Sequence, residues 1–422
     1  MKILVVTQYF WPENFRINDL LLGLKERGHK VKVLTGIPNY PGGRFFKGYK
    51  NYRPLFEIYD DIPVFRTPII PRGNGSRIRL VLNYLSFAFF ACLLTPFRRL
   101  DAIDLIFVYE PSPITVCLPA LLLKKLKSAP VMFWMQDLWP ESLSATGAIK
   151  SEIILKIVDI LVRFIYRRCD RILIQSRAFF EPVKNQGSQS NRILYFPNSA
   201  EELYRPVILE KDADERAVMP EGFCVTFAGN IGAAQDFGTI LKAAEILKEH
   251  TEINCVVIGD GRMFKWVKGQ VIKRGLSKTV HLLGRYPAEA MPRFFALSDV
   301  LLVTLKKEPI FALTIPSKVQ SYLACAKPII AALDGEGAKV VEEAGAGLNC
   351  PAENPEALAD AVLKLYNISE ADRKGMGKKG ISYFEKHFER EMLLDRLEGW
   401  MKELVTQRHE GTKKGVKNNK CI

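Results

Sequence analysis

A chain of 422 residues, 48% hydrophobic and 25% charged, is too long for one core and too apolar to be disordered, so two folded domains are expected. Its 60 Lys and Arg against 46 Asp and Glu give a formal charge of +14, which favours a polyanion, a phosphate-rich substrate or an anionic membrane surface. Nucleic acid is not expected as a partner, because no zinc finger, recognition motif or alternation of aromatic and basic residues accompanies the charge.

The opening MKILVVTQYFW has the look of a secretory leader, but its apolar run is short and meets Trp11, Pro12 and Glu13 without a small-residue cleavage site. It is predicted to be the first strand. Lys2–Phe10, Lys30–Thr35, Leu105–Tyr109, Pro130–Asp137, Arg171–Ser176 and Ile193–Asn198 are predicted strands separated by helical stretches, which implies a parallel sheet covered on both faces. RIRLVLNYLSFAFFACLLTPFRRL, residues 77–100, breaks the rhythm. Its apolar core is roughly 20 residues, about bilayer length, yet it contains Asn83 and Ser86 and ends in Pro96. Arg77, Arg79, Arg98 and Arg99 flank it, so a helix lying in a membrane interface is one expectation; a helix packed on the sheet is the other.

Residues 199–222 are polar and punctuated by proline, a linker candidate. The alternation restarts with Phe223–Gly229, Ile253–Asp260, Val280–Gly284, Asp299–Leu305 and Pro328–Leu333. The predicted fold class is α/β: two doubly wound, Rossmann-like domains, 1–198 and 223–385, facing a cleft. Helices are predicted over Pro355–Tyr366 and from Glu389 to about Val405, the latter within a segment, 386–405, expected to return to the N-terminal domain. Residues 406–422 have almost nothing apolar to bury and are expected to form a flexible basic tail. The eight cysteines are scattered without a Cys-x-x-Cys pair, several inside apolar runs such as FCVTFAG, so buried free thiols and a reducing cytoplasm are expected.

Doubly wound sheets bind ligands at the carboxyl ends of their strands. In the first domain those ends carry TQYFWPENFRIND with Asn14, then TGIPNYPGG, YEPSP, and QDLWPES with Gln136, Asp137 and Glu141. The first loop lacks the Gly-x-Gly-x-x-Gly fingerprint of a dinucleotide site. In the second domain they carry GNIGAAQDFGT, GDGRMFKW, LLGRYPAE and TIPSKVQSYLA. Gly229 and Gly232 would let backbone approach a ligand closely, and Arg262, Arg285 and Lys318 supply cations. Pro316, Ser317 and Lys318 open a predicted helix, where free N–H groups and dipole charge already favour an anion. The combination suits a nucleoside diphosphate. Plainer alternatives stand beside each: Lys318 as a solvated lysine, Asp137 as a helix cap, His281 as a packed strand residue, His29 as the end of the first helix, Tyr322 as core.

ERGHKVKVLT, GNIGAAQDFGTILKAAEIL, IGDGR, LLGRYP, PSKVQSYLACAKPIIAAL and NPEALADAVLKL occur in an order that resembles the retaining GT-B glycosyltransferases of family 4, up to about residue 400. QDLWPES with PSK is similar to the bacterial surface-polysaccharide subgroup that includes L-fucosaminyltransferases. The resemblance implies a UDP-sugar held mainly by the C-terminal domain, an acceptor held mainly by the N-terminal one, no metal, no further cofactor, and retention of anomeric configuration. Departures are specific. The family's diphosphate-binding Arg and Lys fall on Asn230 and Gln235, its two spaced glutamates near Leu313 and Ser321, and its N-domain His on Gln136.

The expected catalytic residues are therefore Asp137, Gln136, Glu141 and Lys318. Nucleotide-sugar contacts are expected from Asn14, Gly229, Asn230, Gly232, Gln235, Arg262, Arg285, Pro316, Ser317, Lys318 and Ser321. With the charge and the Arg-flanked helix, the expected acceptor is a polyprenyl-diphosphate-linked sugar, met by a cytoplasmic protein on the anionic inner leaflet. A UDP-sugar 2-epimerase of the same fold and a non-catalytic membrane scaffold are the alternatives.

Overall fold

The computed structural model describes residues 1–73, 76–98, 100–145, 149 and 151–418, which divide into two compact units, 1–197 with 391–422, and 198–390.

In the first unit the strands are β1 (Lys2–Val6), β2 (Lys30–Gly36), β3 (Phe56–Tyr59), β4 (Ile62–Thr67), β5 (Leu105–Glu110), β6 (Val131–Met135), β7 (Arg171–Ile174) and β8 (Ile193–Tyr195). They form one sheet in the order β3-β4-β2-β1-β5-β6-β7-β8, parallel throughout except for the β3–β4 hairpin. Its helices are α1 (Arg16–Glu26), α2 (Arg77–Leu94), α3 (Cys117–Lys127), α4 (Glu141–Ala145), α5 (Glu152–Tyr166) and α6 (Phe180–Asn185). Strands β5 and β6 are buried along their whole length, the signature of a sheet covered on both sides.

The second unit has helices α7 (Asp214–Val218), α8 (Phe237–Ile246), α9 (Phe264–Lys273), α10 (Met291–Leu297), α11 (Pro309–Ala312), α12 (Ser317–Ala324), α13 (Glu336–Glu343), α14 (Pro355–Asn367) and α15 (Glu370–His387). They flank strands β9 (Phe223–Ala228), β10 (Ile253–Ile258), β11 (Val280–Gly284), β12 (Val300–Thr304), β13 (Ile329–Ala332) and β14 (Gly347–Cys350) in an all-parallel sheet ordered β11-β10-β9-β12-β13-β14. Helix α16 (Arg390–Asn418) packs on the first unit. Its Leu393, Leu394, Leu397, Met401 and Leu404 enter the core around Ile3, Val5 and Phe107, and Arg27 pairs with Glu391 and Asp395, each at 2.7 Å.

Every predicted strand is present. Three more, β3, β4 and β14, were not predicted, nor was α15. β14 has no β-branched residue and exists because Gly347 lets its backbone lie against Ile329 of β13. The expected linker belongs to the second unit and contains α7, and the segment expected to be a loose tail from 406 is helical through Asn418.

Helix α2 is pinned to the sheet by one face. Phe87 and Ala91 are fully buried, and Asn83 accepts from Gln8 at 2.7 Å and donates to the Ile70 carbonyl at 2.7 Å. The opposite stripe, Ile78, Val81, Leu82, Leu85, Phe89 and Leu93, is exposed, so the expectation of a helix packed on the sheet holds for one face only. Residues Ile78–Phe97 are long and apolar enough to cross a membrane, with mean hydropathy 1.8. One of its flanking arginines does not face outward. Arg98 is turned inward: it donates to the Arg66 carbonyl and packs 5.8 Å from the Phe65 ring, and burial lowers its pKa to about 10. Arg99 lies outside the described residues.

His29 also differs from expectation. It sits past the end of α1 between the terminal amine (3.2 Å) and Glu398 (3.0 Å), where burial and that amine lower its pKa, so it anchors α16 instead of serving as a helix-end imidazolium.

Candidate functional site

In the second unit, the loops after β9 and β10 are pressed together backbone to backbone. Gly229 donates to the Ile258 carbonyl at 2.8 Å, and Ile231 to that of Asp260 at 2.9 Å. A Cβ on Gly259, whose φ is +145°, would stand 1.9 Å from the Gly229 oxygen, so only glycine fits there. Gly229 itself takes φ +130° and lies under Lys318: a Cβ would meet its Cε at 2.8 Å. The Lys318 ammonium sits 3.5 Å from the centroid of the Phe227 ring, with no carboxylate within 4 Å among the described residues. Burial pushes its pKa down to about 7.

Pro316 is the N-cap of α12, so the N–H groups of Ser317 and Lys318 begin the helix without intrahelical acceptors. Pro316, Ser317, Lys318 and Gly229 are thus brought together. Ser321 points its hydroxyl back to the Ser317 carbonyl (3.3 Å), and Tyr322 is core, its hydroxyl accepting from Ala228 N–H at 3.2 Å. Asn230 and Gly232 line the same glycine loop, exposed and half-buried, and Gln235 offers its carbonyl to Thr304 at 2.6 Å. Asp236, in the left-handed region at φ +44°, opens α8. Arg262 and Arg285, both exposed, share a separate open depression with Lys265, Asp260 and Phe264; Lys318 is not part of it. Lys265 was not singled out in the sequence, although it lies in the GDGRMFKW loop.

In the first unit, Gln136 and Asp137 follow β6. The Gln136 N–H donates to the Glu110 carbonyl at 2.9 Å, and Gln136's own carbonyl accepts from Gln175 at 3.4 Å. Asp137 is enclosed, and burial pushes its pKa up to about 7. Beside it Glu110, the last residue of β5, is fully buried, with only the Gln136 and Asp137 backbone near enough to donate weakly to its carboxyl. Burial, then the nearby Asp137 charge, raises Glu110 well above the usual carboxylate range. Glu141 is exposed at the start of α4, and Asn14 is exposed on the β1–α1 loop. Glu110 escaped notice in YEPSP; its signal was a carboxylate ending a continuously apolar strand.

One sheet thus carries an ammonium beside free helix N–H groups, a chemistry suited to an anion, and the other two neighbouring carboxyls with raised pKa. The Glycosyl transferases group 1 family matches residues 210–382, and the Glycosyl transferase 4-like domain family matches 14–199. A Pseudomonas aeruginosa protein named "Probable glycosyltransferase WbjE" is 27% identical over 346 residues, covering 80% of this chain and 84% of the relative. An Escherichia coli K12 protein named for colanic acid biosynthesis, WcaI, is 25% identical over 336 residues, covering 77% and 81%. Among solved structures, Anabaena HepE in complex with UDP superposes with a TM-score of 0.68 at 14% identity, covering 96% of this chain and 100% of that one. Sucrose-phosphate synthase from Thermosynechococcus elongatus superposes at 0.73 and 15%, with the same coverage.

Proposed function

From a chain that is a glycosyltransferase of the GT-B fold, its two halves each matching a glycosyltransferase family, we propose that it moves a sugar from a UDP-sugar to a lipid-diphosphate-linked sugar in surface-polysaccharide synthesis. The observation that carries this is Lys318: a half-buried ammonium with no carboxylate partner among the described residues, beside a glycine loop and two free helix N–H groups. Breaking the bond to the diphosphate puts negative charge on the leaving group, so donors fixed on it stabilise the transition state more than the ground state. Lys318 and the N–H groups of Ser317 and Lys318 take that role, in place of the cations that Asn230 and Gln235 do not supply. Asp137, its pKa raised to about 7 and Glu110 beside it, orients the acceptor hydroxyl and takes up its proton as the new bond forms. Attack on the face the leaving group vacates retains the anomeric configuration.

The donor sugar belongs to the N-acetylated deoxyhexosamines, with N-acetyl-L-fucosamine the first to test. The work is done at the inner leaflet, where the exposed stripe of α2 meets lipid. Helix α5 adds a second such stripe that the sequence pass did not single out: Ile153, Ile154, Ile157, Ile160 and Phe164 are all exposed. Helix α3 packs on both and carries Lys124, Lys125 and Lys127 in its last turn. Neither the epimerase nor the scaffold has an observation in its favour.

The test is a mass-spectrometric screen of UDP-sugars against a lipid-diphosphate-linked sugar, followed by NMR of the product's anomeric coupling. A product of retained configuration is expected. No product with any donor, together with no UDP binding by calorimetry, would sink the proposal.

A further inference from the structure

Arg72 follows β4 and is held among three tyrosines of the first unit. Its guanidinium carbon lies 5.0 Å from the Tyr40 ring centroid, 5.8 Å from Tyr9 and 6.0 Å from Tyr84, and its Nη1 donates to the Tyr9 hydroxyl at 3.0 Å. Its backbone is fixed as well: Arg72 N–H donates to Asn39 Oδ1 at 3.1 Å, Gly73 N–H to the Gly43 carbonyl at 2.8 Å, and fully buried Asn39 is joined to Asn83 of α2 at 3.3 Å. No carboxylate lies within 4 Å of this guanidinium among the described residues. The acid closest in sequence to its neighbours, Glu13, spends its carboxylate on the N–H groups of Phe10, Asn39 and Tyr40. A guanidinium held rigid, half-buried and stacked, but left without an anion, is preorganised to receive one.

Its surroundings say which anion. Tyr84 is on α2, whose exposed apolar stripe begins at Ile78, 75% exposed. On its other side Tyr84 meets Trp139 (6.3 Å between centroids), two residues beyond Asp137 in the same loop. Tyr84 of α2 therefore joins Arg72 on one side to the Trp139 and Asp137 loop on the other. We propose that Arg72, walled by Tyr9, Tyr40 and Tyr84, binds the diphosphate of the acceptor, with the lipid running onto α2 and the sugar reaching toward Asp137. This rests on the lipid-diphosphate acceptor proposed above; the chemistry it requires is a phosphate or diphosphate ester, and a phospholipid headgroup is the competing source.

Arg72→Met and Arg72→Lys are compared on two acceptors carrying the same sugar, one on a polyprenyl diphosphate and one on an uncharged alkyl chain. Arg72→Met should lower the preference in kcat/KM for the diphosphate acceptor by roughly 10–100-fold, with Arg72→Lys recovering part of it and calorimetric UDP affinity unchanged. An equal loss on both acceptors would make Arg72 structural, and weaker binding to phosphatidylglycerol vesicles with unaltered preference would make it a headgroup contact; either overturns the proposal. The unaltered protein supplies a second readout: farnesyl diphosphate should inhibit competitively against the diphosphate acceptor and non-competitively against the donor, and no such inhibition overturns the site. If the wild type uses no lipid acceptor at all, the functional proposal fails, while Arg72-dependent calorimetric binding of farnesyl diphosphate still decides the site.

Discussion

Lys318 holds its ammonium against an aromatic ring, out of reach of any carboxylate among the described residues, and its pKa of about 7 lies below the ordinary 10.5. The unfolded chain therefore binds this proton more tightly, so the burden on the fold is fully present below about pH 7 and is relieved as pH rises toward 10.5. Lys318→Met should raise Tm by a few degrees while weakening UDP binding at least roughly tenfold, read by calorimetry; unchanged affinity would remove Lys318 from the donor site. UDP affinity of the wild type should be greatest below about pH 7 and decline above it, as the free enzyme loses this proton. Asp137, pushed up to about 7, ionises over the same range, so kcat/KM should follow a bell near neutrality. Asp137→Asn should flatten its rising limb and lower kcat by about 100-fold with UDP affinity intact. Lys318 and Asp137 were legible because each stands in a short motif at a strand end. Glu110 offered one sequence signal, a carboxylate ending an apolar strand, whereas Arg72 is marked only by contacts among residues distant in the chain.

Helices α2 and α5 each bury one face and expose an apolar other, and at this scale the membrane proposal is tested. Ile157→Glu with Ile160→Glu should cut co-sedimentation with phosphatidylglycerol vesicles about tenfold, because two exposed apolar side chains leave the lipid contact. Tm should move by under about 2 °C, since Ile160 is 67% exposed and packs on little. Arg98→Glu is unsuitable for this purpose: it would set a carboxylate against the Arg66 carbonyl and the Phe65 ring and damage the fold. The alternation of apolar strands with helices revealed eleven of the strands; β14 escaped because its pairing with β13, not its composition, makes it extended.

The chain returns to its first unit through α16, so the two units are not two consecutive stretches of sequence. Five side chains of α16 lie in the first unit's core, each worth about 1.5–3 kcal/mol on burial. Truncation after Arg390 should therefore collapse the first unit's thermal transition, while the second unit, complete within 198–390, still binds UDP; a truncated chain with an unaltered first transition would refute this. The surplus of positive charge acts over the whole molecule, and vesicle binding should weaken as salt rises past the ~0.1 M range where screening length falls to about 10 Å.

Local physics carried a good deal: hydrophobic periodicity set the two parallel sheets, and glycines, a helix start and a lysine marked the anion seat, because each of those signals acts over a few neighbouring residues. Which polar groups remain without partners, which arginine turns inward and which helix faces stay bare depended on segments far apart in the chain. Those features are set by packing, so only the tertiary structure could decide them.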